Sequence, residues 1–268
     1  MLKSYKTRLY RSVLDWIPEQ LIQVMMIGKM LLRTKYDDLP RIVHEWRHVM
    51  NLLRPLCERE MILDVGAGRG RYSIPLARKG IRIIAVDISV DALRFIENLK
   101  LKNVDLVQAD AQCLPFRCGI FQKALMIQVL EHLDSDRRAL SEISRILQHE
   151  GELIVSVPIE IEVAKLRARF DYMYWCDFEG FGHKRYYTAD GLMFLLSCLD
   201  LRIAEMQFCL FLPTLLAYEL NHKAHEKIRL ILHPIFFLLI SLFDIIPFIR
   251  KYPYVVIIKV TKNKQDKT

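Results

Sequence analysis

"MILDVGAGRGRYSIPLARKG", Met61 to Gly80, decides the fold. An apolar run ends in Asp64-Val65, three glycines follow at alternate positions, Gly66, Gly68 and Gly70, and a helical pattern starts at Arg71. A buried strand that feeds a glycine turn and then a helix offers backbone N–H groups to a ligand, because glycine lets the chain approach closely. A dinucleotide site wants G-x-G-x-x-G, whose third glycine would fall where Arg71 stands. The spacing here is G-x-G-x-G. Such a turn suits a pyrophosphate poorly, and Asp64 would face it with like charge; a ligand with a cationic end would instead welcome Asp64.

Outward from this stretch, apolar runs alternate with helical patterns, the rhythm of a parallel sheet. Strands are expected at Met61–Val65, Ile81–Val86, Val104–Gln108, Ala124–Ile127, Glu152–Val157, Leu201–Phe208 and Tyr254–Val260. Helices are expected over Arg71–Lys79, Val90–Leu99, Arg137–Leu147 and Thr188–Cys198. The fold class is therefore α/β: a Rossmann-like, seven-stranded, mostly parallel sheet with helices on both faces. If the final two strands pair, the last runs antiparallel at the sheet's edge.

Two segments break the rhythm. Residues 1–58 read as an N-terminal helical cap, with a wide apolar face in "EQLIQVMMIGKMLLR", and residues 59–268 as the main domain. Residues 209–253 form an apolar helical insertion before the last strand, far longer than a connection requires. Its charge-free run, Leu230 to Phe243, has 14 residues and falls short of the roughly 20 that span a bilayer. An interfacial helix, a lid over an apolar pocket or a dimer contact fits it better.

The net charge of +8 is unevenly placed: +4 over residues 1–60, −1 over 61–214 and +5 over 215–268. Basic flanks that are also apolar fit peripheral contact with an anionic membrane better than nucleic acid. The plainer reading is solvated Lys and Arg on helix faces. Cys57, Cys113, Cys118, Cys176, Cys198 and Cys209 show no C-x-x-C pair and read as reduced core residues of a cytoplasmic protein. No cleavable secretory signal is expected in the basic, polar start. Disorder is expected only in the tail, Lys262 to Thr268.

Asp87 ends the second strand and Asp110 follows the third, on the same sheet edge as Asp64. A carboxylate at the first position accepts two hydrogen bonds from a ribose diol, and one at the second accepts from an adenine amino group. Each alone could be an N-cap or turn residue. Together with the glycines they form a coherent nucleoside site.

"HEWRH", His44 to His48, matches H-E-x-x-H, and on a helix it places two imidazoles on one face beside Glu45. Zinc needs a third ligand, however. Glu58 and Glu60 lie beyond Pro55 in no recognisable second motif, so a helix with two polar histidines is the better account. Cys113-x4-Cys118 has no partner pair either, and no metal is expected.

With these residues in place, the chain resembles the class I S-adenosylmethionine-dependent methyltransferases, in particular the small-molecule and lipid enzymes related to those of ubiquinone and menaquinone synthesis. "ILDVGAGRGRYSIPLARKG", "AVDISVDALRF", "VQADAQCLPF", "FQKALMIQVLEHL" and "EISRILQHEGELIVSVP" are similar to that family's successive blocks, in order, over about Met61 to Pro158. The likeness continues through "GHKRYYTADGL", Gly182 to Leu192. It implies S-adenosyl-L-methionine as cofactor, with Asp64, Gly66, Gly68 and Gly70 at its methionine portion, Asp87 on the ribose, Ile88 on the adenine face, Asp110 and Ala111 at the adenine edge, and Ile127 and Gln128 near the sulfonium. Two departures, Gln122 after Phe121 and Gln148-His149-Glu150 before Gly151, imply local effects only.

A sulfonium methyl is already a good electrophile, so the protein must align a nucleophile with it and exclude water. Where the nucleophile needs a base, the candidates are Glu131 and His132 of "LEHL" and His183, Tyr186 and Tyr187 of "GHKRYY". "YMYWCDFEGFGH", Tyr172 to His183, is aromatic enough to wall an acceptor pocket. No Asn/Asp-Pro-Pro-aromatic run follows the fourth strand, so base methylation of nucleic acid is not expected. The implied acceptor is a small, apolar or lipid-linked molecule near the inner membrane face. A membrane-associated binding protein without turnover and a soluble methyltransferase of sugars or small metabolites are the alternatives. The sequence leaves the oligomeric state open.

Overall fold

The computed structural model describes residues 39–56, 60–159, 182–211 and 253–263. Most of the expected cap, nearly all of the apolar insertion, the tail beyond Asn263, and "YMYWCDFEGFGH" up to Phe181 lie outside these residues. The described elements are α1 (Leu39–Leu52), β1 (Met61–Val65), α2 (Ser73–Arg78), β2 (Arg82–Asp87), α3 (Val90–Glu97), β3 (Val104–Gln108), β4 (Phe121–Ile127), α4 (Asp136–Ile146), β5 (Leu147–Pro158), α5 (Ala189–Ser197), β6 (Leu201–Phe211) and β7 (Pro253–Lys262).

One seven-stranded sheet forms in the order β3-β2-β1-β4-β5-β7-β6. Strands β1 to β5 pair parallel, while β7 is antiparallel to both β5 and β6. The antiparallel direction agrees with the sequence reading, but its placement at the edge does not: β7 lies between β5 and β6. Burial explains this. Every residue from Tyr254 to Ile258 is buried, so β7 needs cover on both faces and a neighbour on both sides. Strand β6 carries exposed Arg202 and Glu205 and tolerates the edge, where charge discourages pairing with another chain.

Side chains alternate between two cores, one on each face of the sheet. From β4, Ala124 and Met126 join the cluster that takes Leu140, Ile143 and Ile146 of α4 and Leu192 and Leu196 of α5. Leu125 and Ile127 point the other way, into the cluster built on Trp46, Val49 and Leu52 of α1, Leu76 of α2 and Ile96 of α3. Three helices are stopped at their starts by a hydroxyl that accepts a backbone N–H: Ser89 from Ala92, Ser135 from Arg138 and Thr188 from Gly191.

Two further expectations need correction. The stretch Gln148-His149-Glu150 is not a free turn but part of β5, which begins at Leu147; a register shift opposite Phe121–Lys123 and a positive φ of 60° at Glu150 absorb the extra residues as a bulge. Nor are the cysteines mostly core: of the four described, Cys113, Cys118 and Cys198 are exposed and only Cys209 is buried. The first two sit on the surface loop between β3 and β4 and the third ends α5, positions that no apolar face covers among the described residues.

Candidate active site at the switch point of the sheet

From β1 the strand order runs one way to β2 and β3 and the other way to β4 and β5, so connections leave β1 and β4 in opposite directions. In such sheets the crevice opens outside the carboxyl ends of the strands at that reversal. Here it collects the glycine turn after β1, Asp87 at the end of β2, Asp110 after β3 and Gln128 after β4. Every residue assigned from the sequence to cofactor contact lies on this one edge.

The glycine turn is held from beneath. Gly66 and Ala67 donate their N–H groups to Val86 O at 2.8 and 2.9 Å, and Gly68 N donates to Asp87 Oδ2 at 2.7 Å. Gly66, Gly68 and Gly70 all take positive φ, at 70°, 53° and 82°. At Gly66 an added Cβ would lie 2.4 Å from Val129 Cγ2, whereas at Gly68 nothing lies within 4 Å. Packing thus excludes a side chain at Gly66. At Gly68 the space above the turn is open, a cradle that a ligand could fill.

Asp87 is bound at both oxygens, since Oδ1 accepts from Ser89 N at 2.8 Å. Beside it Ile88 is 68% exposed, a large apolar side chain left uncovered next to a carboxylate. Asp110 accepts from Gln112 N at 2.8 Å, and Ala111 next to it is buried. Asp64 is different: it is buried, and Ser73 Oγ of α2 donates to it at 2.5 Å. Burial raises its pKa to about 6, against the opposing Ser73 hydrogen bonds.

After β4 the chain turns sharply. Gln128 takes φ 56°, uncommon for a residue other than glycine, and a 3₁₀ turn follows over Leu130–His132. Glu131 is fully buried there. The segment "GHKRYY" is stitched onto this turn by its backbone, with Lys184 N donating to Glu131 O at 2.8 Å and Ile159 bridging to Tyr187. Arg185 donates to Leu133 O and Asp134 O, both at 2.9 Å, and pairs with Asp136; Lys184 pairs with Asp134. Tyr187 is tied down as well, donating to Asp136 Oδ2 at 2.9 Å, and burial holds its phenol pKa above the ordinary value.

This stitching brings the three catalytic candidates together. Donor atoms of Glu131, His132 and His183 all lie within 4.8 Å of one another, and the two imidazoles meet edge to face with centroids 4.8 Å apart. His183 is buried, and Tyr186 lies against it at 6.2 Å. His132 is the accessible member, with 36% of its side chain exposed.

What the sequence reading missed is the role of α1. Glu45, seen there only as the middle of H-E-x-x-H, is completely buried: Oε1 accepts from Ser156 Oγ at 2.6 Å and Gln128 Nε2 at 3.0 Å, and Oε2 faces Arg71 of the glycine turn at 3.5 Å. His48 bonds Gln207 at 2.7 Å instead. Trp46 stacks on Tyr72 at 5.0 Å, and burial pushes the Tyr72 phenol pKa well up. Among the described residues the Tyr72 hydroxyl has no hydrogen-bond partner. One signal was available: Glu45 shares a helical face with Val49 and Leu52, three and four residues apart, both buried.

Parts of this chain are similar to known proteins. Residues 63–155 match the family described as methyltransferase domain. A demethylmenaquinone methyltransferase of Renibacterium salmoninarum is 30% identical over 97 residues, 36% of this chain and 40% of that protein. An O-methyltransferase of Aspergillus nomiae is 31% identical over 103 residues, 36% of this chain and 46% of that protein. The chain thus spans less than half the length of these two relatives. The structure of a geranyl diphosphate methyltransferase in complex with S-adenosylmethionine superposes over 81% of this chain and 83% of its own, with a TM-score of 0.57 at 13% identity, and shares the fold. Residues 63–155 are thus similar to the methyltransferase domain of the S-adenosylmethionine-dependent class, and the sheet around them has the fold of a methyltransferase structure.

The residues present fit the cofactor of that class. Open space over Gly68, a carboxylate at the end of β2 and an uncovered Ile88 are what a ribose and an adenine face require.

Proposed function

We propose that the protein transfers a methyl group from S-adenosylmethionine to a small, apolar acceptor. The observation that carries this reading is the pairing of Asp87 with exposed Ile88 across from the open glycine turn, at the edge where the three acceptor-side candidates also converge. S-adenosylmethionine supplies a methyl on a positively charged sulfur. Asp87 accepts from the ribose hydroxyls, Ile88 covers one adenine face, and Asp110 with Ala111 borders its edge. Gly66 and Gly68 expose backbone to the methionine portion, Gly70, buried against Ile74, shapes the turn beneath it, and buried Asp64 supplies negative charge from below.

Ile127 and Gln128 close the space where the methyl would lie. Gln128 is fixed by its bonds to Glu45 and Ser156, so it cannot swing into that space. His132, the exposed member of the cluster, is placed to take a proton from an acceptor, with Glu131 behind it. The match to a menaquinone-pathway methyltransferase supports an apolar acceptor, and the basic, apolar flanks support docking on an anionic membrane surface.

Calorimetry with S-adenosylmethionine and its demethylated product tests the first half of the reading. Replacing Asp87 by alanine is expected to weaken binding at least tenfold, since a charge-assisted hydrogen bond contributes about 1.5–3 kcal/mol. Unchanged affinity in Asp87→Ala rejects the assignment. Mass spectrometry of lipid and polar extracts, incubated with enzyme and cofactor, then reveals the acceptor as a pair of species differing by one methylene. Binding without any such pair would favour a non-catalytic role.

A further inference from the structure

We propose that Glu131, His132 and His183 form a binding site for one divalent transition-metal cation. The sequence drew attention to a different metal motif, H-E-x-x-H on α1, whose central carboxylate the tertiary structure commits elsewhere: Glu45 accepts from Ser156 and Gln128 and faces Arg71. A second donor set is assembled by the fold instead, two residues from the 3₁₀ turn after β4 and one from a segment about fifty positions later.

Three lines of geometry and chemistry support the assignment. The donor atoms lie within 4.8 Å of one another. Bonds of about 2.0–2.2 Å to a common ion need separations near 3–3.5 Å, so small rotations of the side chains close the set. The composition, two imidazoles and one carboxylate, suits zinc, manganese, iron or cobalt and not calcium or magnesium, which prefer oxygen alone. The backbone is also braced where ligands must hold still, since Lys184 N bonds Glu131 O and the neighbouring cations Lys184 and Arg185 are engaged by Asp134 and Asp136.

Three protein donors leave coordination positions open, as catalytic rather than structural metal sites do. The partly exposed side of His132 gives access to them. Resting on the methyl-transfer reading, the occupant of an open position is a hydroxyl oxygen of the acceptor. A divalent cation lowers the pKa of such a group, so that its proton is released to solvent near neutral pH, and with the metal bound His132 serves as a ligand in place of a base. The acceptor class is then a phenol, enol or alcohol.

Titration of tag-free, chelator-stripped full-length protein with cobalt(II) tests the site. Saturation at one equivalent is expected, with d–d absorption, no thiolate-to-cobalt charge transfer, and displacement by zinc. His132→Ala and His183→Ala should each weaken cobalt binding roughly tenfold or more while S-adenosylhomocysteine binding, measured on the same stripped samples, is retained. Retained product binding also shows that the variants are folded. No saturable cobalt binding in protein that holds S-adenosylhomocysteine overturns the proposal and leaves a hydrogen-bonded triad, as do thiolate bands or binding indifferent to both histidines. Cobalt bound by the three residues in protein that takes up no S-adenosylhomocysteine upholds the metal site and rejects the methyl-transfer reading.

Discussion

Two glycines two residues apart answer to different constraints, and substitution separates them. Gly66→Ala combines a positive φ with a methyl driven into Val129, and each contributes about 1–2 kcal/mol or more. Urea unfolding should show a loss of roughly 2 kcal/mol or more, part of which Val129→Ala restores. Gly68→Ala meets no atom within 4 Å, so its cost in stability should be only about 1 kcal/mol, while affinity for S-adenosylhomocysteine falls at least tenfold. Equal losses in both assays for the two variants would contradict this division. Asp64 offers a pH signature. Its folded pKa stands near 6 against 3.8 in the unfolded chain, so between those values the folded state retains a proton that the unfolded chain has released. Stability from this group is therefore greatest below about pH 4, declines as pH rises to about 6, and is constant above. Urea melts at several pH values should show the slope, and Asp64→Asn should flatten it. Cofactor affinity should move the opposite way, rising up to about pH 6, because the ionised carboxylate favours a cationic ligand end.

Helix α1 is the element whose function was least visible in the sequence. Read from its sequence as a helix with two polar histidines, it sends Trp46, Val49 and Leu52 into the core beneath the sheet. What periodicity could not announce is that Glu45, on the same face, would meet Ser156 from β5, Gln128 from the end of β4 and Arg71 from the glycine turn. These four residues are separated by up to 111 positions, and no local pattern couples them. Replacing Glu45 with alanine leaves a buried guanidinium-facing void and removes the acceptor for Ser156 and Gln128, at an expected cost of about 2–4 kcal/mol. Glu45→Gln, which keeps an acceptor, should recover most of it. Glu45→Ala should also weaken cofactor binding by freeing Gln128, whereas Glu45→Gln should largely retain it, and circular dichroism melts together with calorimetry check the two effects. A Glu45→Ala protein as stable as the parent would show that α1 packs without anchoring the site.

For the whole molecule, the uneven charge and the apolar insertion frame one expectation about location. No helix among the described residues is long and apolar enough to cross a membrane. The flanks carry +4 and +5 charges around a nearly neutral centre, which favours a reversible electrostatic contact with anionic lipid. Intact protein should float with anionic liposomes at low salt, lose most of that association as ionic strength rises, and lose it again when residues 230–249 are deleted. Protein that never floats would move the acceptor into solution and leave the rest of the reading intact.

By itself the sequence determined the seven strands, the helices between them, and the edge on which the residues assigned to the cofactor lie, because each of these follows from local periodicity, turn chemistry and the ends of apolar runs. The order of β7 and β6 was settled by burial, which depends on what covers each strand and not on either strand alone. Only the tertiary structure put Glu45 under Gln128, and only it brought His183 to Glu131 and His132, since hydrogen bonds between residues distant in sequence set those meetings, side chain to side chain in the first and backbone to backbone in the second.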